Sequence, residues 1–575
     1  VKRGLALALG VATLVRIPFW LEALRTPVDG DTAIVGLMAR HPFSAAALWG
    51  QPYGSPLDAW FALPFLAVFA SKATALRVAC FSLGLALVAL AYGMAREVEP
   101  RSALPAGLLM ACPSAYMLVL SALPPPLYST TLVVCGLLLL LTLRIGERLS
   151  AGESPPATLA LLGGLGGLAL WTHLMSAAIV VPCVGYLATR GRARARTLAF
   201  VLVPLVVVSF PWWRGFLRDP AWTTRIVAVS NRDESMAAHL RAVLPRLHAP
   251  IGGLLGTHSP VLADDPDHVV APPAWVGLSL ALIYGAALVV AARRSRLRGA
   301  PGLLLACVAS TVAAFPFPLR SSPTTIRFLT PAYLPWAVLA AWAFTGATRR
   351  SFRGPLGLVL VVAMLDLLGG RLVLASWRTA DRAKPPFGLQ DLAPLRRALE
   401  SAHVRRAYGG YETAYRLTFE TGERILVSEP WNERFRHYPL PYLDDVRFAK
   451  NVAWVLGPPG GPGDLPTPRQ FEDALGAIGG RWKRSTAGAY SVFLDFSPPF
   501  GPTVESPQGA GPAGDRDLST RVIPAPTSTL EVDLGEPRRL DGLTLVGPLE
   551  GPGLLTSMDV EVSADGRAFE TVARR

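Results

Sequence analysis

Asp29 and Asp31 bracket a single glycine directly after the first apolar stretch of the chain, in Val28-Asp-Gly-Asp-Thr32. A carboxylate at the water interface of a membrane helix can act as a general base towards a hydroxyl. Asp29-Gly-Asp-Thr32 also suits a turn and helix N-cap, with Asp31 capping the run TAIVGLMARH. Far along the chain, Arg327 opens another apolar helix in Ile326-Arg-Phe-Leu-Thr-Pro-Ala-Tyr-Leu-Pro335, with Arg320 a short distance before it. A guanidinium at that depth can hold a phosphate through paired hydrogen bonds, or can simply snorkel to lipid head groups. A base and an anion holder at one membrane face are the parts needed to move a group from a lipid phosphate to a hydroxyl.

Weaker candidates lie around these. Arg16 sits inside the first apolar span, and intramembrane charge is a functional hypothesis by default. His41, Gln51, Tyr53, Asp58 and His173 are expected to line a substrate cavity, although a packed histidine accounts equally well for His173. Asp366 and Arg371 in the last span are expected to pair. The Gly163–Gly167 run reads as close helix packing, because it lies in an apolar helix. His258, Asp264, Asp265, Asp267 and His268 match no zinc or EF-hand spacing, so they read as a solvated acidic loop and no metal site is assigned; a divalent cofactor is otherwise left open.

The elements that must position these residues are membrane helices. Of 575 residues, 51% are hydrophobic and 17% charged, well below the quarter or so usual in soluble domains. The net charge of +14 sits in short arginine runs between apolar segments, which is the cytoplasmic-loop bias of membrane proteins and needs no nucleic acid partner. All five cysteines fall in apolar segments, so neither a disulfide framework nor a thiol catalyst is expected. The start VKRGLALALGVATLV reads as an uncleaved anchor with its N-terminus in the cytoplasm. Spans are expected near 4–23, 75–95, 103–120, 128–145, 157–172, 174–189, 198–213, 273–292, 300–318, 329–347 and 355–375, about eleven crossings. This count requires Leu57–Ala70 to be a re-entrant or surface helix.

The membrane part is thus expected over 1–378. Residues 388–497 alternate helical and strand-like runs and read as an external α/β domain. A Pro/Gly-rich linker covers 498–525, and 526–575 read as a short β-sandwich-like segment, less than a whole domain. Ser235–His248 reads as an amphipathic helix of a second external loop.

The block Asp31-Thr-Ala-Ile-Val-Gly-Leu-Met-Ala-Arg-His41, then Gly50-Gln-Pro-Tyr-Gly54 and Leu57-Asp-Ala-Trp60, resembles the first external loop of bacterial GT-C glycosyltransferases. These are relatives of the protein O-mannosyltransferases and of the aminoarabinose transferase of lipid A. Arg327 and its neighbours are similar to the Arg-Tyr-Leu-x-Pro segment of that family. The resemblance implies a polytopic enzyme of a bacterial inner membrane with its site outside. Its donor would be a polyprenyl-phosphate sugar, and its acceptor a glycan, lipid or protein. It further implies Asp31 as base, Arg327 as phosphate holder, and inversion at the sugar. Thr32 stands where Glu is common, so any metal- or acceptor-binding role of that Glu is lost or shifted to Asp29. The tail pieces Leu530–Pro537 and Val560–Arg567 resemble discoidin modules, which implies carbohydrate binding. A lipid-linked glycan carrier and a non-catalytic glycan binder are the alternatives; the first would place charges along mid-membrane helices.

Overall fold

A computed structural model describes residues 2–153, 155–190, 194–218, 236–263, 265, 267–317, 325–347, 353–435, 438–449, 451–457, 465–477, 479–497, 559–565 and 567–574. The chain divides into two compact units. The first comprises 1–28, 35–48 and 53–389; the second comprises 29–34, 49–52 and 390–575.

The first unit is helical. In chain order it begins with α1 (Lys2–Arg25), α2 (Gly30–Arg40, whose first turn belongs to the second unit), α3 (Leu57–Val68), α4 (Lys72–Val98), α5 (Ala103–Ala111), α6 (Ala115–Ala122), α7 (Tyr128–Ser150), α8 (Pro156–Thr172), α9 (Ala177–Arg190) and α10 (Arg194–Val208). Further apolar helices follow at Ala274–Ser295, Gly299–Ala314, Tyr333–Ala347 and Arg353–Thr379. Among the described residues six helical stretches are long and apolar enough to cross a bilayer, and α5 with α6 forms a seventh, bent by 70°. The four shorter apolar helices from Pro156, Leu174, Ala195 and Gly299 coincide with the remaining segments expected to cross, and α3 with the one expected not to. This is a multi-pass helical membrane protein.

Breaks in the helices follow local chemistry. Pro113 has no N–H and disfavours helix at Cys112, so the span expected at 103–120 is two helices. The exposed carbonyls at the end of α5 are taken by Arg16, whose Nη1 donates to Ala111 O at 2.8 Å and Nη2 to Met110 O at 3.0 Å. Ser114 N–H, at the start of α6, donates to the Tyr333 hydroxyl at 2.8 Å. The glycine run of α8 does what its apolar setting implies. A Cβ on Gly163 would lie 2.1 Å from Val201 O of α10, and one on Gly167 2.4 Å from Leu205 O, so the backbones meet where only hydrogens fit. Asp366 and Arg371 do not pair: five residues turn about 140° around a helix, which leaves Asp366 buried beside Tyr284 and Arg371 exposed.

The amphipathic segment expected from Ser235 is helix Met236–Val243, followed by Leu244–Arg246 in a tighter turn and helix His248–Leu254; Ser235 itself lies outside the described residues. A minimal ladder pairs β1 (Ser259–Pro260) with β2 (Val269–Val270) beyond it. Between them His268 Nδ1 contacts Asp265 Oδ2 at 2.8 Å; Asp264 lies outside the described residues, among which no group of three His, Cys, Asp or Glu side chains could hold a metal.

The second unit is α/β. Strands β3 (Arg406–Gly409), β4 (Leu426–Ser428), β5 (Ala453–Leu456), β6 (Arg481–Ala487) and β7 (Tyr490–Ser497) form a mixed sheet in the order β4-β3-β5-β7-β6. The three buried strands β3, β4 and β5 run parallel, and β7 returns antiparallel beside β5. Leu395, Leu399, Ala414, Leu417 and Val427 fill one core cluster, and Trp454, Phe471, Leu475 and Phe493 another. Hence the helices Ala393–Ser401, Tyr411–Glu420 and Pro468–Ala477 are each held by apolar residues at helical spacing. Strand β6 has no apolar alternation and is largely exposed, a charged edge strand. Of the tail, the described residues form one antiparallel ribbon, β8 (Asp559–Val562) with β9 (Glu570–Arg574); the linker and Leu530–Pro537 lie outside them.

Candidate active site

The first-loop carboxylates divide their tasks. Helix α2 begins at Gly30, two residues earlier than the cap reading of Asp31 required. Asp29 is the cap instead: its Oδ1 accepts from Thr32 N at 2.6 Å and its carbonyl from Ala33 N at 2.9 Å. Asp31 is therefore a first-turn residue with its side chain free of backbone duty. Its Oδ1 accepts from the Tyr411 hydroxyl and, at 2.7 Å, from Arg434 Nη1, while Oδ2 is 3.4 Å from Arg434 Nη2. The Arg434 guanidinium lies over the Tyr411 ring, 3.9 Å from its centroid. Gly30 N–H donates to Glu412 Oε2 at 2.8 Å. Burial first, and Asp29 second, push the Glu412 carboxyl up to about 7. Burial and the Asp31 charge likewise raise the Tyr411 phenol well above its ordinary range, so it remains a donor.

The Gly-Gln-Pro-Tyr turn is gripped in the same unit. Gly50 takes φ +72°, and its carbonyl accepts from Asn432 Nδ2 at 2.8 Å. Asn432 Oδ1 in turn accepts from Arg434 N and Phe435 N at 3.1 and 2.7 Å, so the loop that carries Arg434 is tied to this turn. Gln51 is buried, and Trp49 meets Tyr442 edge-on at 5.7 Å. Glu429, which accepts from Glu433 N at 2.9 Å, is pushed up to about 8 by burial.

A second cluster lies within the helical unit. Gly54, at φ +83°, brings its backbone against Leu127, whose Cδ1 would be 2.4 Å from any Cβ there. Leu127 is itself left-handed at φ 76°, and its N–H donates to Asp58 Oδ2 at the start of α7. Tyr53 and Tyr128 pack on the His173 ring, at 6.5 and 5.2 Å between centroids. Arg327 lies 6.0 Å from the Tyr128 ring centroid and 5.1 Å from that of Phe328. His173 Nδ1 accepts from Met175 N at 3.1 Å, which leaves the proton of the neutral ring on Nε2. Burial, and then the Arg327 charge, push the His173 imidazole down to about 4. This cluster is an aromatic-lined cationic corner with one neutral N–H donor beside a guanidinium, suited to an anion.

Other expected site residues fare differently. Arg16 is buried on the end of α5, where its guanidinium donates to the Ala111 and Met110 carbonyls. Arg320 lies outside the described residues. His41 is exposed just past α2. Tyr411, Glu412, Arg434 and Tyr128 were not legible as site residues. The first three follow their partners by about four hundred positions, and no local motif marks them.

No family model matches this sequence, and no curated protein matches it. The structure is similar to that of ArnT from Cupriavidus metallidurans in the apo state, with TM-score 0.53 and 14% identity over 85% of this chain and 97% of that one. ArnT from the same organism bound to undecaprenyl phosphate gives 0.53 and 16% over the same shares. The chain has the GT-C fold. An oligosaccharyltransferase of Archaeoglobus fulgidus gives TM-score 0.45 at 12% identity, over 79% of this chain and 69% of that one, a looser likeness that carries no weight. The first-loop block read from sequence lies on α2, on the turn before α3 and on the first turn of α3.

Proposed function

We propose that this protein is a membrane glycosyltransferase that moves a sugar from a polyprenyl-phosphate donor to an acceptor hydroxyl on the external face of a bacterial plasma membrane. The observation that carries this reading is Asp31. It is a carboxylate relieved of capping by Asp29 and held by two side-chain donors at one oxygen, on the loop whose motifs resemble those of GT-C transferases.

In the reaction, the acceptor hydroxyl gives its proton to Asp31 as its oxygen attacks the anomeric carbon. The bond from that carbon to the donor phosphate breaks, and the electron pair leaves with the phosphate. Within the helical unit, Arg327 and the His173 N–H are the groups suited to hold a phosphate of this kind. Attack opposite the leaving group inverts the sugar. Binding of undecaprenyl phosphate by the similar ArnT supports a donor of this class. The acceptor is a glycan, a lipid or a protein hydroxyl.

The test is incubation of the purified full chain with a panel of radiolabelled polyprenyl-phosphate sugars, followed by donor release and transfer. Wild type is expected to consume at least one donor. Asp31→Asn is expected to lose turnover by at least about 100-fold while keeping its level in the membrane. A carrier or an anchor for glycan-binding domains would release no sugar in either form.

A further inference from the structure

We propose that Tyr411 and Arg434 are positioning residues that fix Asp31 so that Oδ2 is the oxygen receiving the acceptor proton. The proposal rests on the reading of Asp31 as the base. A carboxylate has two oxygens with about two acceptor directions each. On Asp31, Oδ1 takes both the Tyr411 hydroxyl and the short 2.7 Å bond from Arg434 Nη1. Among the described residues Oδ2 has a single contact, at 3.4 Å, longer than a strong charged hydrogen bond. The asymmetry makes Oδ1 the anchored oxygen and Oδ2 the open one. The Asp31 side chain is 26% exposed, so a hydroxyl can reach it.

Both donors are themselves fixed. Tyr411 is nearly buried at the start of its helix, with its ring edge-on to Tyr415 at 5.1 Å. Arg434 is stacked on Tyr411 and hangs from a loop pinned by Asn432 to the Gly50 carbonyl. An ordinary surface ion pair has no such scaffold behind it. The alternative, a pair that only fastens the second unit to its own first-loop pieces, predicts effects on stability and none on chemistry.

Tyr411→Phe, Arg434→Met and Arg434→Lys in the full chain separate the two. The phenylalanine keeps the ring and loses only the hydroxyl. If the two residues position the base, Tyr411→Phe and Arg434→Met each lower kcat by about 10- to 100-fold, the loss expected of a misplaced reacting group. KM for donor and acceptor then stays within about twofold, and Arg434→Lys recovers part of the loss. Because both act through Asp31, neither substitution lowers the residual rate of Asp31→Asn any further. The proposal is overturned alone if wild type turns over donor, Asp31→Asn does not, and Tyr411→Phe and Arg434→Met keep wild-type kcat. It is also overturned if their losses multiply on the Asp31→Asn background. Wild type that turns over no donor, or Asp31→Asn that keeps wild-type turnover, overturns it together with the reading beneath it.

Discussion

Asp29 Oδ1 lies 2.6 Å from Thr32 N, and this one bond assigns the cap of α2 to the first carboxylate and leaves the second free of capping. The two aspartates, two positions apart, therefore answer differently to substitution. Asp29→Ala is expected to cost about 1 kcal/mol of stability, the usual loss for a removed N-cap. Melting of the detergent-solubilised protein should fall for Asp29→Ala and hold for Asp31→Asn, while turnover shows the reverse order of severity.

Acid and base should change the second unit in a defined direction. Glu412 and Glu429 are raised to about 7 and about 8 in the fold, above an ordinary unfolded glutamate near 4.3. The folded state therefore binds more protons than the unfolded one between those values, so stability falls as pH rises through that window and levels above it. Melting temperature is expected to decline from about pH 5 to pH 8. Glu412→Gln should flatten the lower part of that decline, and Glu429→Gln the part that continues to higher pH. An unchanged slope in both variants would dismiss these groups as its source.

Arg327 and His173 should act on the donor. Arg327→Lys keeps the charge and loses the paired geometry, so kcat/KM for the donor is expected to drop about tenfold or more. His173→Ala should weaken inhibition by free polyprenyl phosphate by about fivefold, the order expected for one lost hydrogen bond. Arg16→Met serves as the contrast: its effect should appear in stability, because its guanidinium closes the end of α5.

Adjacent glycines of α8 give a purely structural test. Gly163→Ala would put a methyl 2.1 Å from Val201 O, whereas Gly164→Ala meets nothing nearer than Val208 Cγ2 at 3.9 Å. The first is expected to destabilise by about 1–3 kcal/mol and the second to be near neutral, read by thermal unfolding in detergent.

What the sequence reveals and hides follows from the range of each interaction. Apolar segments and the runs Arg406–Gly409, Leu426–Ser428, Ala453–Leu456 and Tyr490–Ser497 were legible because their burial is written in their own residues. Strand β6 was not, since an edge strand with Arg481, Lys483 and Arg484 outward carries no apolar period. The bend at Cys112–Ser114 was missed, since 103–120 read as one span, and the partner that takes the freed carbonyls, Arg16, lies 95 positions earlier and reads as a loose membrane charge. Asp31 was singled out by its motif. Its holders, Tyr411 and Arg434, belong to a stretch whose pattern speaks only of an α/β domain.

The pairing of Asp31 with Arg434 spans 403 positions. During synthesis the ribosome releases the carboxylate 403 residues before its guanidinium, so the nascent chain carries an unclasped first loop over that whole interval. Maturation of this centre is thereby a late event, and any ribosomal stall or premature stop before Arg434 yields a membrane-inserted polypeptide whose candidate base has never been set.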